Sequence, residues 1–341
     1  MSGSGLGHAA AAITLVVFMA GCSVAATLAP AASGAASSGS PTTAASTATP
    51  WATSFATTAA PASATGSGGR LIVLADGPDG GPGLWALGSD SRWTSLAATP
   101  GATAMGRYGE AVAIATGAGV EVRRGPDFSI AATSTTLKWP GGTPAPIVAD
   151  LDVAAGGRTA LVTSNGGTYG YAVVGTDGTV TPLTPAPTQP FTPIVSWIDG
   201  SRLLVLSTDN LQESRLAVVD PVAHTIDSAR APAGVHFFAV SSDGKTVAAA
   251  TENAIYAGPL AAFTRAAAPA PIATLADAQV VWALALDESG SKLFMLSGLL
   301  GSDGTVGTVH EVGYTRSGPA WTRFLDSGVP FGRAIDQVYL P

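Results

Sequence analysis

The chain has 341 residues and a formal net charge of −7, and only 11% of its residues are charged. Acidic side chains outnumber basic ones by 23 to 16, and no basic cluster is larger than the pair Arg123–Arg124. This balance argues against a nucleic-acid-binding surface, which needs clustered Lys and Arg. The single cysteine excludes a disulfide framework and any zinc site built on several cysteines.

Residues 1–21 have the pattern of a secretion signal. The apolar stretch AAAAITLVVFMA, Ala9 to Ala20, is shorter than the roughly 20 residues that span a bilayer, and it suits the central region of a signal peptide. It runs into Met19-Ala20-Gly21-Cys22, which resembles the bacterial lipobox. The resemblance implies cleavage before Cys22, lipid attachment to Cys22 and a location outside the cytoplasmic membrane. One departure is the absence of Lys or Arg from MSGSGLGH, and an ordinary signal peptide with an incidental cysteine is the alternative.

Residues 22–69 are predicted to form a disordered tether. They are nearly all Ala, Ser, Thr, Pro and Gly, and the first Asp, Glu, Lys or Arg of the chain is Arg70. Such a segment cannot bury enough apolar surface to offset its conformational entropy. Its flexible reach is roughly 35–40 Å, taking about 5–6 Å times the square root of its length.

From residue 70 onward the chain repeats one β unit six times. In each copy a glycine precedes a short apolar run that ends in a small or polar residue. The copies are Gly69-RLIVLAD, Gly109-EAVAIAT, Gly157-RTALVTS, Gly200-SRLLVLST, Gly244-KTVAAAT and Gly290-SKLFMLS. The glycines are separated by 40, 48, 43, 44 and 46 residues, a spacing typical of four-stranded propeller blades.

Two further recurrences complete each blade. A hairpin follows the anchored strand, as in GVEVRRGPDFSI and AIYAGPLAAF, and an apolar inner strand precedes the glycine, as in IVADLDVA and VVWALAL. The first unit has no inner strand before it, whereas the C-terminal FGRAIDQVYLP is left over as a single strand. Pairing the two would remove open sheet edges. We therefore predict an all-β fold over residues 70–341, a six-bladed β-propeller closed by pairing of its N- and C-terminal strands.

Two segments resemble known propeller repeats. The run from Leu216 to Ile226, with its Asp220-Pro and Thr225, resembles the YVTN-type repeat of bacterial surface proteins. The turn SSDGK, Ser241 to Lys245, is similar to the inner-strand turn of that family and of tryptophan-aspartate repeats. The resemblance implies the architecture, and it implies little about function, because the fold carries both enzymes and binding modules.

Catalytic and metal-binding signals are thin, and we predict no catalytic residue, no metal site and no cofactor. The Asp76–Gly83 loop offers only two carboxylates, and Asp-Gly pairs are common turn signals. No Gly-x-Ser-x-Gly elbow occurs in residues 70–341. His224, His236 and His310 fall in different units, and Asp150, Asp152 and Asp336 look too dispersed for a propeller enzyme.

A candidate binding face is predicted where the loops that lead into the inner strands meet those that join second to third strands. Aromatic and Arg side chains on such loops are typical of binding hot spots. The residues assigned to this face are Arg107, Trp139, Phe191, Asp209, Glu213, Arg215, His236, Asp303 and Arg333.

Two functional hypotheses follow. The first is a monomeric, lipid-anchored, extracytoplasmic propeller that binds or scaffolds a protein or cell-envelope partner without catalysis. The second is a propeller enzyme, either a lactonase-like hydrolase or a sugar- or quinone-directed oxidoreductase, that uses the mouth of the channel.

The predicted anchor can be tested at Cys22. If the thiol carries a diacylglycerol and the new amino terminus a further acyl chain, attachment is stable where one chain alone would be marginal. We expect Cys22→Ser to leave an uncleaved precursor or to release the protein, measured by membrane fractionation and intact mass. A Ser23→Ala variant serves as the matched control. A mature Cys22→Ser form that stays in the membrane fraction would contradict lipid anchoring.

Overall fold

The structure, a computed structural model, describes most of the chain from Gly69 to Leu340. Within this range it does not describe residues 118, 143–144, 155, 167, 185, 188–193, 209–212 and 302–306. The predicted signal segment, Cys22 and the predicted tether lie outside the described residues.

Six antiparallel four-stranded sheets make up the described residues, as predicted. Blade 1 contains β24 (Ala334–Leu340), β1 (Arg70–Asp76), β2 (Pro82–Leu87) and β3 (Trp93–Ala98), and blade 2 contains β4 (Ala102–Tyr108), β5 (Ala111–Thr116), β6 (Gly119–Arg124) and β7 (Ile130–Thr136). Blade 3 contains β8 (Ile147–Val153), β9 (Thr159–Asn165), β10 (Thr168–Val174) and β11 (Val180–Pro182), and blade 4 contains β12 (Val195–Trp197), β13 (Leu203–Thr208), β14 (Ser214–Asp220) and β15 (Thr225–Arg230). Blade 5 contains β16 (Phe237–Val240), β17 (Thr246–Ala250), β18 (Ala254–Pro259) and β19 (Pro271–Thr274), and blade 6 contains β20 (Gln279–Leu286), β21 (Lys292–Leu299), β22 (His310–Ser317) and β23 (Ala320–Gly328). Within each blade the first strand given is the inner one.

The ring closes through blade 1, which combines both ends of the described chain. β24 pairs antiparallel with β1, in a register that sets Leu340 opposite Arg70 and Val338 opposite Ile72. Two backbone hydrogen bonds extend the ladder, from Asp76 N–H to Arg333 O and from Gly332 N–H to Asp76 O, each 2.9 Å. The predicted closure is therefore confirmed.

The second strand of every blade is the most buried. β1, β5, β13 and β17 bury every residue of their central run, because a neighbouring blade covers each face of the sheet. Strands covered on both faces read as continuous apolar runs rather than alternating ones. Each of the six seams between blades holds hydrophobic clusters of its own.

Two of the anchor glycines, Gly244 and Gly290, lie where a turn packs closely on the preceding blade. Gly244 has a φ of +70°, and a Cβ there would stand 1.5 Å from Ile198 O of blade 4. Gly290 has a φ of +67°, and its Cβ would stand 2.3 Å from the Thr246 side chain of blade 5. Only glycine combines this backbone conformation with so close an approach.

Two elements differ from the expectations. The segment after β18, predicted as the second half of a hairpin, is a 3-10 turn at Leu260–Ala262, and the outer strand β19 begins only at Pro271. The turn buries Phe263 completely in the seam between blades 4 and 5, which compensates for the interrupted hairpin. The inner strand β4, ATAMGRY, was not predicted as a strand, because it lacks the β-branched run that marks the others.

Helix is limited in the described residues to 3-10 turns at Pro140–Gly142 and Leu260–Ala262. None of the helical segments there has the length and apolar character of a transmembrane helix.

Removal of the closing strand should unfold the ring. Leu340 is buried, and Ile335 and Val338 pack against the same cluster between blades 1 and 2. Three aliphatic contacts of about 1.5–3 kcal/mol each approach the whole stability of a native domain, about 5–15 kcal/mol. We expect deletion of residues 331–341 to give an insoluble or molten product by near-UV circular dichroism. Deletion of residues 23–66 is the control and should leave the melting temperature nearly unchanged. A C-terminal deletion that melts within a few degrees of the intact chain would contradict this dependence.

Candidate functional site

The propeller has two faces that differ in their connections. The upper face is formed by the connections that lead into inner strands and those that join second to third strands. The lower face is formed by the connections from inner to second strands and from third to fourth strands. Three of the four connections of 10 or more residues, at 137–146, 183–194 and 300–309, lie on the upper face, and the fourth, at 260–270, lies on the lower face. Long connections on a rigid scaffold are the usual carriers of binding residues.

Several residues assigned to the candidate binding face do lie on the upper face. Trp139 precedes β8, His236 precedes β16 and Arg333 precedes β24. Arg215 and Glu213 flank the start of β14 and form an ion pair of 3.1 Å between Arg215 Nη2 and Glu213 Oε2. Phe191, Asp209 and Asp303 lie outside the described residues.

Arg107 takes a different position from the one expected. It lies within β4, opposite Val112 and next to the turn at Gly109, and therefore near the lower end of the channel. The sequence-based placement was wrong because it treated the segment as an upper-face loop, whereas the segment is an inner strand. Arg107 lines the central channel.

A cavity of about 190 Å³ opens beside Trp139 on the upper face, between blades 2 and 3. Its wall includes Leu137, Trp139, Pro146 and Val148, and also Thr116, Gly117 and Gly119. Trp139 is half-buried, and the neighbouring Ile147 is 61% exposed. An aromatic side chain at the edge of an apolar depression is a common anchor point for a partner.

The central channel brings together Asp150, Asp152 and Asp336, which were judged too dispersed from the sequence. A cavity of about 80 Å³ on the axis is lined by all six inner strands, and Asp150, Asp152, Asp336 and Arg107 stand in its wall. The carboxyl groups of Asp150 and Asp336 lie close enough to repel each other. The one feature that these aspartates share in the sequence is that each falls within an inner strand.

Each of these aspartates also joins neighbouring blades. Asp336 Oδ2 accepts the Met105 N–H of blade 2 at 3.3 Å, and Asp150 Oδ2 accepts the Val195 N–H of blade 4 at 2.7 Å. Asp152 Oδ2 accepts the Trp197 N–H at 2.7 Å and the Ser196 hydroxyl at 2.8 Å. Inner strands are sheet edges, so these bonds satisfy N–H groups that would otherwise lack a backbone acceptor.

Burial in the channel shifts the ionisation of these groups. Burial raises the pKa of Asp336 to about 8, and repulsion from Asp152 adds to the effect. Burial, followed by repulsion from Asp336, holds the pKa of Asp150 well above its usual range. Burial also raises the pKa of Asp152, which the nearby Arg107 guanidinium opposes. Burial in the channel therefore favours the protonated form of these carboxyl groups.

The Arg107 guanidinium is the positive counterpart of these carboxylates. Burial lowers its pKa, while Asp152, Glu288 and Asp243 oppose that change through their charges. Among the described residues, the Arg107 guanidinium makes no hydrogen bond or ion pair, and its charge acts on the acidic groups only at longer range.

The three histidines of the propeller occupy separate places. His224 lies in an exposed turn, with 2.9 Å between Nδ1 and Thr184 O, and His310 Nδ1 is 2.8 Å from Asp326 Oδ1 on the outer part of blade 6. His236 Nε2 lies 3.9 Å from Glu252 Oε1 on the upper face. No group of three His, Cys, Asp or Glu in the described part of the chain is placed to hold a metal ion.

Comparison with known proteins identifies the architecture. No protein-family model matches the chain, and no curated protein sequence matches it. TolB from Acinetobacter baumannii superposes with a TM-score of 0.58 at 10% identity, over 80% of this chain and 67% of that one. A putative TolB from Agrobacterium tumefaciens gives 0.53 at 11% identity, over 80% and 98%. These likenesses show the fold.

The periplasmic gluconolactonase PpgL from Pseudomonas aeruginosa is also similar, at 13% identity over 80% of this chain and 99% of that one. Its TM-score is 0.46. A shared fold does not fix function, so the function of this chain has to be argued from its own residues.

The raised pKa values predict an unusual dependence of stability on pH. A folded pKa of about 8 for Asp336, against about 3.9 in the unfolded chain, means that the folded state binds the extra proton between these values. The free energy of unfolding therefore falls as pH rises from about 4 to about 8, by up to about 1.4 kcal/mol per pH unit for one such group. Asp150, whose pKa is also raised, acts in the same direction.

We expect the melting temperature to decrease between pH 4.5 and 8 by differential scanning calorimetry, and Asp336→Asn to flatten that decrease. Asp277→Asn, at an exposed turn, is the matched control and should follow the parent chain. A melting temperature that rises steadily over the same range in the parent chain would contradict the assignment.

Proposed function

We propose that the protein is a non-enzymatic binding module, lipid-anchored at Cys22 outside the cytoplasmic membrane, that presents the upper face of its propeller to a protein or cell-envelope partner. The propeller fold and its likeness to TolB structures are compatible with this role, and the lipobox-like Met19–Cys22 supplies the anchor. The YVTN-like run of blade 4 agrees with a surface protein.

The observation that carries the proposal is the apolar depression beside Trp139. Ile147 is 61% exposed and begins β8, where that strand meets the upper face. Trp139 stands half-buried at the wall of the adjoining cavity. A rigid aromatic anchor with an exposed aliphatic residue near it in the chain has the composition of a binding hot spot.

The described chain begins at the lower face of the propeller. Gly69 precedes β1, whose first residue pairs with Leu340 at the lower end of the inner strand β24. The start of the described chain is therefore on the face opposite to the proposed binding surface.

The channel aspartates support a role in rigidity rather than in catalysis. A carboxylate oxygen of each channel aspartate accepts a hydrogen bond from a backbone N–H group of a neighbouring inner strand. Such bonds hold the blades in register. A preformed, rigid face loses little conformational freedom when a partner binds.

Site-specific cross-linking tests the proposal. A photo-reactive residue at Ile147 on the upper face should yield a discrete cross-linked product in intact cells, and Trp139→Ala should abolish it. The matched control is a photo-reactive residue at Val222, which is 69% exposed in a lower-face turn and should yield no such product. Equal products from both positions, or none from Ile147, would overturn the upper-face assignment. Hydrolysis of lactones that is lost in Asp150→Asn would favour the enzyme alternative.

A further inference from the structure

We propose that the seam between blades 6 and 1 is a pH-sensitive switch, which stays tightly packed while the Glu311 carboxyl carries a proton and loosens when that carboxyl ionises. The switch lies inside the ring and does not depend on the partner proposed for the upper face. Three observations carry it: the direction of the Glu311 side chain, its lack of a hydrogen-bond partner, and the apolar packing that closes the same seam.

Glu311 is directed into the seam between blades 6 and 1. It lies in β22 opposite Leu296 of β21, and residues that pair across adjacent strands share one face of the sheet. Leu296 is fully buried in a cluster with Val73 of blade 1 and with Phe331 of the connection to β24. Val309, two residues before Glu311, packs against the same cluster, as the alternation of an extended chain requires.

The Glu311 carboxyl is buried without compensation. The residue is 0% exposed, and neither Oε1 nor Oε2 forms a hydrogen bond with any described residue. Burial raises the pKa of Glu311 well above its usual range, and the nearby Met295 N–H opposes this only in part. An ionised carboxylate in an apolar interior is costly when no counter-charge or donor accompanies it. The packed seam therefore favours the protonated carboxyl.

The charged and titratable groups around the seam do not supply a counter-charge to Glu311. β2, β3 and β20 contain none. Tyr339 packs in the seam, where its ring stacks on Phe294, whereas Asp336 lines the channel. His310 and Tyr314 lie on the opposite face of β22, towards blade 5. The other such groups on the strands and the connection that form the seam stand near strand ends or in the outer strand, and they are Arg70, Asp76, Lys292, Arg316, Arg323, Asp326 and Arg333.

Aromatic packing closes the same seam. Phe331 lies against Trp85 and Trp93 of blade 1, with ring centroids 5.6 and 5.1 Å apart. The Nε1 atoms of both indoles are buried and donate to no described residue. All three rings belong to or pack against the cluster that contains Leu296. Because this seam holds by apolar contacts around unsatisfied polar atoms, an ionised Glu311 has to be solvated by entering water, and the packing then loosens.

The closing ladder limits how far the seam can loosen. Residues 329–333 connect β23 of blade 6 to β24 of blade 1 and so cross the seam. β24 is held on β1 by backbone pairing, and the ionisation of a side chain does not break those bonds. We therefore expect a local separation that admits water to Trp85 and Trp93, with the ring still closed.

Fluorine NMR of the full chain labelled with 5-fluorotryptophan tests the proposal between pH 5 and 10. The resonances are assigned by single Trp→Phe substitutions, and the difference in shift between H₂O and D₂O reports exposure to solvent. We expect this difference to increase with pH at Trp85 and Trp93, and to stay constant at Trp139, which lies between blades 2 and 3. An equal increase at Trp139, or none at Trp85 and Trp93, would overturn the proposal.

The sign of the effect follows from proton linkage. The raised pKa means that the folded state binds the Glu311 proton more tightly than the unfolded chain does, whose glutamate pKa is about 4.3. The stabilisation is complete below that value and is lost as pH rises through the folded pKa. The contribution of Glu311 to the folding equilibrium constant should therefore fall by up to about tenfold per pH unit between the two values.

Variants assign the response to one carboxyl. Glu311→Gln keeps the shape of the side chain without the titration, so it should abolish the pH response at Trp85 and Trp93. Glu110→Gln, at an exposed turn, is the matched control and should respond as the parent chain does. Asp336→Asn should also keep the response, because its carboxyl lines the channel.

A pH response that persists in Glu311→Gln, or one that disappears in Asp336→Asn, would contradict the assignment. If Glu311→Gln does not fold, the comparison of Trp85 and Trp93 with Trp139 in the parent chain still decides whether the seam loosens with pH.

Discussion

The inner strand of each blade is the edge of its sheet, and six such edges surround one channel. Their outward N–H groups have no backbone partner, so each needs an acceptor from a side chain or from water. Asp336, Asp150 and Asp152 provide acceptors across two of the seams, between blades 1 and 2 and between blades 3 and 4. The same carboxylates that stabilise these edges give the channel its charge.

Other seams of the ring use different contacts. Between blades 2 and 3 a Cβ on Gly106 would stand 2.5 Å from Leu151 O, so glycine permits β4 and β8 to approach closely. Between blades 3 and 4, Arg158 lies over the Trp197 ring at 5.0 Å. The ring is therefore not a repetition of one interface, and substitutions at different seams should have different consequences.

The seam between blades 6 and 1 carries the largest concentration of buried polar atoms without partners in the described residues. They are Trp85 Nε1, Trp93 Nε1, both carboxyl oxygens of Glu311 and Gln337 Oε1. Burial raises the pKa of the Glu311 carboxyl well above its usual range. Phe331 packs against both tryptophan rings, at 5.6 and 5.1 Å between ring centroids. The closing seam thus depends on apolar packing to offset unsatisfied polar groups.

Sequence reasoning determined the class of fold, the number of blades and the closing pair of strands. It could do so because doubly covered second strands such as β5 and β13 read as unbroken apolar runs, and because anchor glycines such as Gly244 recur at near-constant spacing. Both signals are local in the chain. The inner strand β4 was not predicted, because its sequence ATAMGRY has no unbroken run of large apolar residues. Arg107 was therefore assigned to a loop rather than to this strand.

The composition of the channel wall is determined by the tertiary structure alone. Arg107, Asp150 and Asp336 come from three different blades, and no local pattern relates residues so far apart in sequence. Their proximity follows only when β24 returns to β1 and all six inner strands line one axis. The raised pKa values are equally non-local, because they arise from burial and repulsion that exist only in the closed ring.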